Sequence, residues 1–209
     1  KHINLSAYSE LFQKVFMTKR VRKNGLYKRY FDNGKQLSEE NYNDGMLEGK
    51  WTYWYENGQV KLKGNFKPYE VLPEDERWER SSRYRFPARD SKHGKWTEWY
   101  ENGQKKLEQH YKCGRYIGTW IYWYENGQKK SVSNYIDGGL PGMRSSIVDG
   151  QFTVWHENGQ KRSEGHYKKN RLEGKLTEWD ENGQIMEDQY YKMGELINWK
   201  ITKIPKLSD

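Results

Sequence analysis

The sequence predicts an all-β protein, an elongated single-layer antiparallel meander of repeated β-hairpins with about 13 strands. Three observations carry this. A fragment seen most clearly at Gly49-Lys50-Trp51-Thr52-Tyr53-Trp54-Tyr55-Glu56-Asn57-Gly58-Gln59 starts again at Gly25, Gly94, Gly118, Gly150 and Gly174. In every copy a second Gly follows nine residues later, preceded by Asn and, before that, an acid. An aromatic closes each unit: Tyr42, Phe66, Tyr111, Tyr135, Tyr167 and Tyr191. Repetition at a fixed period is the signature of an array whose units bury surface only against their neighbours.

The first 23 residues do not match the unit. Leu5, Tyr8, Phe12 and Val15 recur at helical spacing, so a short lead helix or irregular cap is expected, then a strand near residues 15–21. The repeat array spans residues 24–200. Its Asn-Gly glycines are separated by 24, 45, 24, 32 and 24 residues, a period of 24 with two insertions. Each unit holds two short Trp-, Tyr- and Thr-rich segments, which favour strands. Asn-Gly between them reads as a two-residue type I′ turn. A looser turn follows the late aromatic and takes both inserts, near 68–92 and 138–149. Such insertions usually project from one side of an array and are often where function is added, the equal alternative being a tolerated, inert excursion. Asn198 stands at a seventh opening position, and Trp199, Ile201 and Ile204 suit one last strand. Residues 201–209 form a tail.

With a two-residue turn, Glu56 lies opposite Gln59, Tyr55 opposite Val60 and Trp54 opposite Lys61. Alternation then places Trp51, Tyr53, Tyr55, Val60, Leu62 and Phe66 on one face, the more apolar and the one expected to be buried. Gly64 opposite Trp51, and Gly165 opposite Phe152, leave room for large rings. The second face carries Trp54, Trp99, Trp123, Trp155 and Trp179, headed by Tyr30. Lys61, Lys106, Lys130 and Arg162 are expected opposite four of these. Either each Trp is sheltered by its own basic neighbour, whose stem covers the ring, or the strip is exposed and grips a partner.

Bulk properties agree with a thin sheet. Apolar residues are 33% of the chain, and 17 Tyr and 10 Trp contribute much of that. This is too aromatic for a disordered chain. The formal charge of +8 favours acidic partners, whether protein, anionic membrane or nucleic acid, although a lysine-rich solvated surface gives the same number. A single cysteine, Cys113, excludes an intrachain disulfide framework and a cysteine-based zinc site. No stretch approaches the roughly 20 apolar residues of a membrane-spanning helix. The chain starts at Lys1 rather than Met, which fits removal of a leader or another domain.

Catalytic chemistry is not written in the chain. His2, His93, His110, His156 and His166 lack metal-ligand spacing, and no cofactor is implied. The acids before each Asn-Gly (Asp32, Glu56, Glu101, Glu125, Glu157, Glu181) repeat evenly, whereas a glycosidase needs two unlike carboxylate environments. No glycine-rich phosphate loop opens a helix. The expectation is a protein that is not an enzyme and works by presenting a surface. The middle units alone carry Lys105-Lys106, Lys129-Lys130 and Lys161-Arg162. The expected partner-binding surface is therefore Trp99, Trp123 and Trp155 with Lys106, Lys130 and Arg162, flanked by Trp78 and Arg83 of the first insert. Trp and Arg are the side chains most enriched in interface hot spots. A Trp and Lys strip would also stack single-stranded bases, but a plain sheet surface needs the same residues, so nucleic acid is the less favoured partner.

The units at 94–108 and 164–175 resemble the MORN-repeat variant family of bacteria, over about residues 24–200. That resemblance implies elongated hairpin sheets acting as scaffolds, with no catalytic residues. Proteins similar to this include antitoxins of toxin–antitoxin pairs, exported or envelope-associated proteins, and modules linked to membrane lipid. The implied function is a protein-binding scaffold, antitoxin- or immunity-like or an envelope assembly component. The alternative is a peripheral module for anionic lipid. The implied location is the bacterial cytoplasm for an antitoxin, or the periplasm or envelope if a leader preceded Lys1.

Overall fold

Each Asn-Gly pair closes a hairpin, and the way it does so sets the register of the sheet. The computed structural model describes residues 23–67, 91–137 and 146–201. At the tip of the second hairpin the Gly58 N–H donates to the Tyr55 carbonyl at 2.9 Å, and the Tyr55 N–H donates to the Gln59 carbonyl at 2.8 Å. Gly58 has φ +91°, while Asn57 is not among the residues with positive φ. This is a three-residue loop, a type I turn followed by a left-handed Gly. It corrects the expected two-residue type I′ turn. The same bonds close the tips at Phe31, Tyr100, Tyr124, His156 and Asp180.

The longer loop shifts the pairing by one, so Trp54 faces Val60 rather than Lys61. A bulge at Lys61 shifts it back, and from there Tyr53 faces Leu62 and Trp51 faces Gly64, as the alternation predicts. The type I′ turns lie at the other rim. Asp44-Gly45, Cys113-Gly114, Lys169-Asn170 and Met193-Gly194 all have positive φ, between strand residues that pair directly.

All strands join one antiparallel sheet: β1 (Gly25–Tyr30), β2 (Gln36–Asn43), β3 (Met46–Trp54), β4 (Val60–Lys67), β5 (Ser91–Trp99), β6 (Lys105–Lys112), β7 (Arg115–Trp123), β8 (Lys129–Asp137), β9 (Ser146–Val148), β10 (Gly150–Trp155), β11 (Lys161–Lys168), β12 (Arg171–Leu172), β13 (Gly174–Trp179), β14 (Ile185–Lys192) and β15 (Glu195–Ile201). Thirteen strands follow one another in chain order across the sheet. The short β9 and β12 pair with β8 and β11 beside that path. They are the lead-ins of β10 and β13, cut off by bulges at Gly150 and Gly174. No helix occurs among the described residues. The expected lead helix, the strand near residues 15–21, the bodies of both inserts and Ile204 lie outside them.

The opening Gly of each unit has a different task from the Gly of the tip. Gly94 has φ +68° and sits where two register steps separate the pairs Lys63↔Thr97 and Asn65↔His93. The strand folds back there. Tyr116 and Trp120 are four residues apart on β7, which a regular strand would separate by about 13 Å, yet their ring centroids lie 4.1 Å apart. Lys92 likewise places Nζ 4.5 Å from the Trp96 ring and 5.0 Å from Tyr111. The rim turns join this curl: the Gly114 N–H donates to the Lys92 carbonyl at 2.8 Å, and Gly45, Asn170 and Gly194 make equivalent bonds.

The curled rim lets a single layer bury side chains. Trp96, Tyr111 and Trp120 form the buried apolar core among the described residues, with Trp51, Leu62, Phe66 and Tyr135 packed against it. These rings meet mostly tilted or edge to face at 4.9–6.3 Å. Burial pushes the Lys92 amine below the ordinary lysine value, while Glu98 acts in the opposite sense. The first face is thus the buried one, as alternation implies.

One prediction tests the tips. Gly127 has φ +85°, which a β-branched residue adopts only under strain. Gly127→Val is expected to lower stability by about 1–3 kcal/mol, read from urea unfolding. An unchanged midpoint would mean the tip tolerates another backbone shape.

Candidate functional site

A ladder of side chains ties each hairpin tip to the next. The Tyr55 hydroxyl donates to the Trp99 carbonyl at 2.8 Å, Tyr100 to Trp123 at 2.8 Å and Tyr124 to Trp155 at 2.7 Å. His156 takes the same place, its Nε2 3.0 Å from the Trp179 carbonyl. Beside them Asn57, Asn102, Asn126 and Asn158 donate through Nδ2 to the carbonyls of Glu101, Glu125, Glu157 and Glu181. Each of these Asn also accepts the N–H of its own Gln two residues on. The Gln side chain then lies over the Gly of the following tip; a Cβ on Gly127 would sit 2.1 Å from Gln104 Oε1. The repeated Asn therefore serves contact between units, not positive φ. The ladder changes at both ends. Phe31 has no hydroxyl, although Asn33 Nδ2 still donates to the Glu56 carboxylate at 2.9 Å, and Asp180 accepts the N–H groups of Asn182 and Gln184.

Sequence reasoning missed this ladder, although its signal was present: a residue with a polar ring tip stands before the acid in the four middle units, and Gln follows each of their Asn-Gly pairs.

The expected binding residues do not share one face. Trp99, Trp123 and Trp155 are half-buried on the second face, paired with Lys105, Lys129 and Lys161. Lys106 and Lys130 are bulge residues and lie on the first face. Lys106 Nζ is 5.7 Å from the Tyr100 ring and 2.8 Å from Glu98, and Lys130 Nζ is 5.4 Å from the Tyr124 ring. Lys61 repeats this over Tyr55 at 5.1 Å. The pairing of these lysines with Trp is thereby corrected, and the cause is the bulge that compensates the longer tip. Arg162 is exposed at the equivalent position, on the Lys161↔Trp155 side of the fifth tip. Trp78 and Arg83 lie outside the described residues.

Two rings of the Trp column are sheltered from the preceding hairpin. Lys105 reaches 5.5 Å from the Trp123 ring and Lys161 5.8 Å from Trp179. Both are also ion-paired, Lys105 to Glu108 at 3.1 Å and Lys161 to Glu164 at 2.7 Å. Burial alone would raise the Glu108 carboxyl, but bonds from Lys95 and Lys105 and their charges hold it below the usual carboxylate range. Val132 stands where Glu108 and Glu164 stand, opposite Ile121, so Lys129 makes no ion pair among the described residues.

The first hairpin adds a polar cluster to its Tyr27–Tyr42 ring pair. Glu40, 5% exposed, accepts from the Tyr42 hydroxyl at 2.7 Å, the Ser38 hydroxyl at 3.0 Å and the Arg29 guanidinium. Burial pushes its carboxyl up, yet these bonds and the Arg29 charge together hold it below the ordinary glutamate value. A depressed folded value contributes stability above the unfolded value, about 4.3, and that contribution is lost as pH falls through the folded value. Acid titration of the melting temperature is expected to flatten in Glu40→Gln. An unchanged acid slope would place the effect elsewhere.

The MORN repeat variant pattern matches six segments, residues 23–44, 47–67, 92–112, 116–137, 148–169 and 172–193, together more than half of the chain. The chain belongs to the MORN repeat variant family. Each matched segment is one tip-closed hairpin, bounded by the rim turns and the two inserts. MORN repeats are non-catalytic modules that generally bind proteins or membranes. No curated protein sequence matches the chain. Among solved structures, a protein of unknown function from Bacteroides fragilis NCTC 9343 aligns over 86% of this chain and 93% of that one, at 12% identity and a TM-score of 0.17. Among the described residues of the MORN array, no group of His, Cys, Asp or Glu is placed to hold a metal ion, and no helix is long and apolar enough to cross a membrane.

Proposed function

We propose that this MORN protein is a non-catalytic protein-binding scaffold, in the manner of an antitoxin or immunity protein or an envelope assembly component. The observation that supports this reading is the tip ladder together with the curled rim. They hold the sheet together from hairpin to hairpin, so among the described residues neither face needs a second layer. Both faces then present aromatic rings and cations to a partner. The Trp99, Trp123 and Trp155 row has half-buried rings, the kind of anchor that dominates interface energetics.

The test is recovery of partners from the native cell extract by the immobilised protein and two variants of intact circular dichroism. Trp123→Ala alters the second face, and Lys130→Ala alters the first. Loss of a specific partner with either variant supports the scaffold and identifies its working face. Equal recovery by the parent and both variants would remove these faces from consideration.

A second reading, attachment to anionic lipid, is favoured by Lys129, Lys130 and Arg162, which make no ion pair among the described residues. Lipid attachment through lysines weakens steeply with salt, and sedimentation with anionic vesicles at low and moderate salt separates the two.

A further inference from the structure

On the first face a row of side chains crosses the sheet through successive pairings: Leu62, Glu98, Leu107, Tyr122, Ser131 and Val154. One side of this row is bounded by the curled rim, where Lys92 and Tyr116 lie back over Trp96 and Trp120. The other side is bounded by Tyr55, Tyr100 and Tyr124 with their bulge lysines. The row is the floor of a trough running at right angles to the strands. Tyr122, 37% exposed, stands in its middle, with the small Ser131 beside it.

We propose that this trough receives a polyproline II segment of a partner protein, carrying an acid at every third residue. The proposal rests on the protein-binding reading above and adds the face and the conformation of what is bound.

Period is the first argument. Each hairpin contributes two strands, so trough features recur every ~9.6 Å at the usual strand spacing. A polyproline II helix repeats every three residues at ~3.1 Å each, or ~9.3 Å. Across three hairpin steps the two drift apart by only about 1 Å. An α-helix pitch is ~5.4 Å, so two turns overshoot by more than 1 Å at every step. A β-strand shows the same face every ~6.7 Å and falls out of step at once.

The rings are the second argument. Tyr55, Tyr100 and Tyr124 have their hydroxyls committed to the next hairpin, so the rings are held in place before any ligand arrives. Aromatic-lined grooves are the known physical mode for polyproline II recognition, and a preformed ligand helix meeting preformed rings loses little entropy.

Charge is the third. Lys61, Lys106 and Lys130 place one ammonium per hairpin along this wall, in the ligand's own period. Of the three, only Lys106 has an acid partner among the described residues, Glu98. An acid in each ligand turn would meet them.

The probe is a fluorescein-labelled peptide of repeated Pro-Pro-Glu triplets, long enough to cross the middle hairpins, followed by fluorescence anisotropy with the full chain. Repeated Gly-Ser-Glu triplets of equal length and charge serve as the flexible control. Pro-Pro-Glu is expected to bind at least about tenfold tighter than Gly-Ser-Glu, a difference of about 1.4 kcal/mol. Tyr122→Ala and Lys130→Ala, each with an unchanged melting curve, are expected to weaken it about three- to tenfold. Trp123→Ala, on the opposite face, is expected to leave it unchanged. Equal binding of the two acidic peptides, weakening by Trp123→Ala alone, or no anisotropy change with either peptide overturns the proposal. So does binding of phosphatidylserine vesicles by a chain that ignores Pro-Pro-Glu. Loss of a native partner on Trp123→Ala with no peptide binding overturns the trough and leaves the scaffold reading standing.

Discussion

Trp96→Ala is expected to lower stability by about 3–5 kcal/mol, the range for deleting a buried large aromatic. Trp96 is 2% exposed and packs against Trp51, Phe66 and Tyr111 at centroid distances of 5.7, 5.0 and 6.3 Å. Its indole N–H donates to the Asn65 carbonyl at 3.1 Å, so truncation also removes that bond. The curled rim loses its seat as well, because the Lys92 ammonium rests on this ring. Among the described residues Trp96, Tyr111 and Trp120 are the buried apolar side chains, so no second buried cluster there absorbs the loss. Urea unfolding of Trp96→Ala and Trp155→Ala makes the comparison. The half-buried Trp155 should cost clearly less, and equal shifts would mean that the aromatic cluster is not the core.

Gly64→Ala is expected to cost about 1–3 kcal/mol through overpacking. Gly64 lies in β4 with an ordinary backbone conformation, so strain is not the reason. A Cβ there would stand 2.1 Å from Trp96 Cδ2 and 2.3 Å from Cε2. The ring cannot retreat, since Phe66 and Lys92 hold it. On an open strand the same change would help, because Ala loses less entropy than Gly on folding. The sign should therefore depend on the ring. In the Trp96→Ala background, Gly64→Ala is expected to be neutral or slightly stabilising, a coupling that a double-mutant cycle reads directly. Additive effects would show that the ring does not occupy this space.

Gly64 also shows how much of the fold was legible. Alternation within one hairpin placed it opposite Trp51, which is its partner in the sheet. The residue that fills its empty space is Trp96 of the next hairpin, 32 positions on and beyond an insert. Pairing inside a unit is encoded locally; pairing between units is not. The turns were exchanged as well. Asn-Gly suits a two-residue type I′ turn, but it also suits the last two places of a three-residue loop. The last tip, at Asp180, adopts the three-residue form with no hairpin tip beyond it among the described residues, so that choice is made within the hairpin; in the middle units it leaves Asn free to reach outward, as Asn57 Nδ2 does to the Glu101 carbonyl. The true type I′ turns hid behind varied residues such as Cys113 and Met193, each adopting positive φ before a Gly.

For the candidate surface the difference has a direct consequence. Lys106 and Lys130 were read onto the Trp face from a register that holds everywhere in the hairpin except next to its tip. One bulge carries them to the tyrosine face, and with them the positive charge that the first face offers. Arg162 repeats the pattern, and Trp99, Trp123 and Trp155 stay on the face where alternation put them.

The sequence by itself determined the hairpins, their number, their chain-order stacking and the identity of the buried face. Each of these follows from a local period, two residues along a strand and 24 along the array, which the chain states six times. Tertiary structure alone decided the ladder of Tyr and Asn between tips and the rim that folds Lys92 and Tyr116 back over their rings. These depend on carbonyls and rings supplied by a neighbouring unit, so the same local residues satisfy more than one geometry until that neighbour is in place.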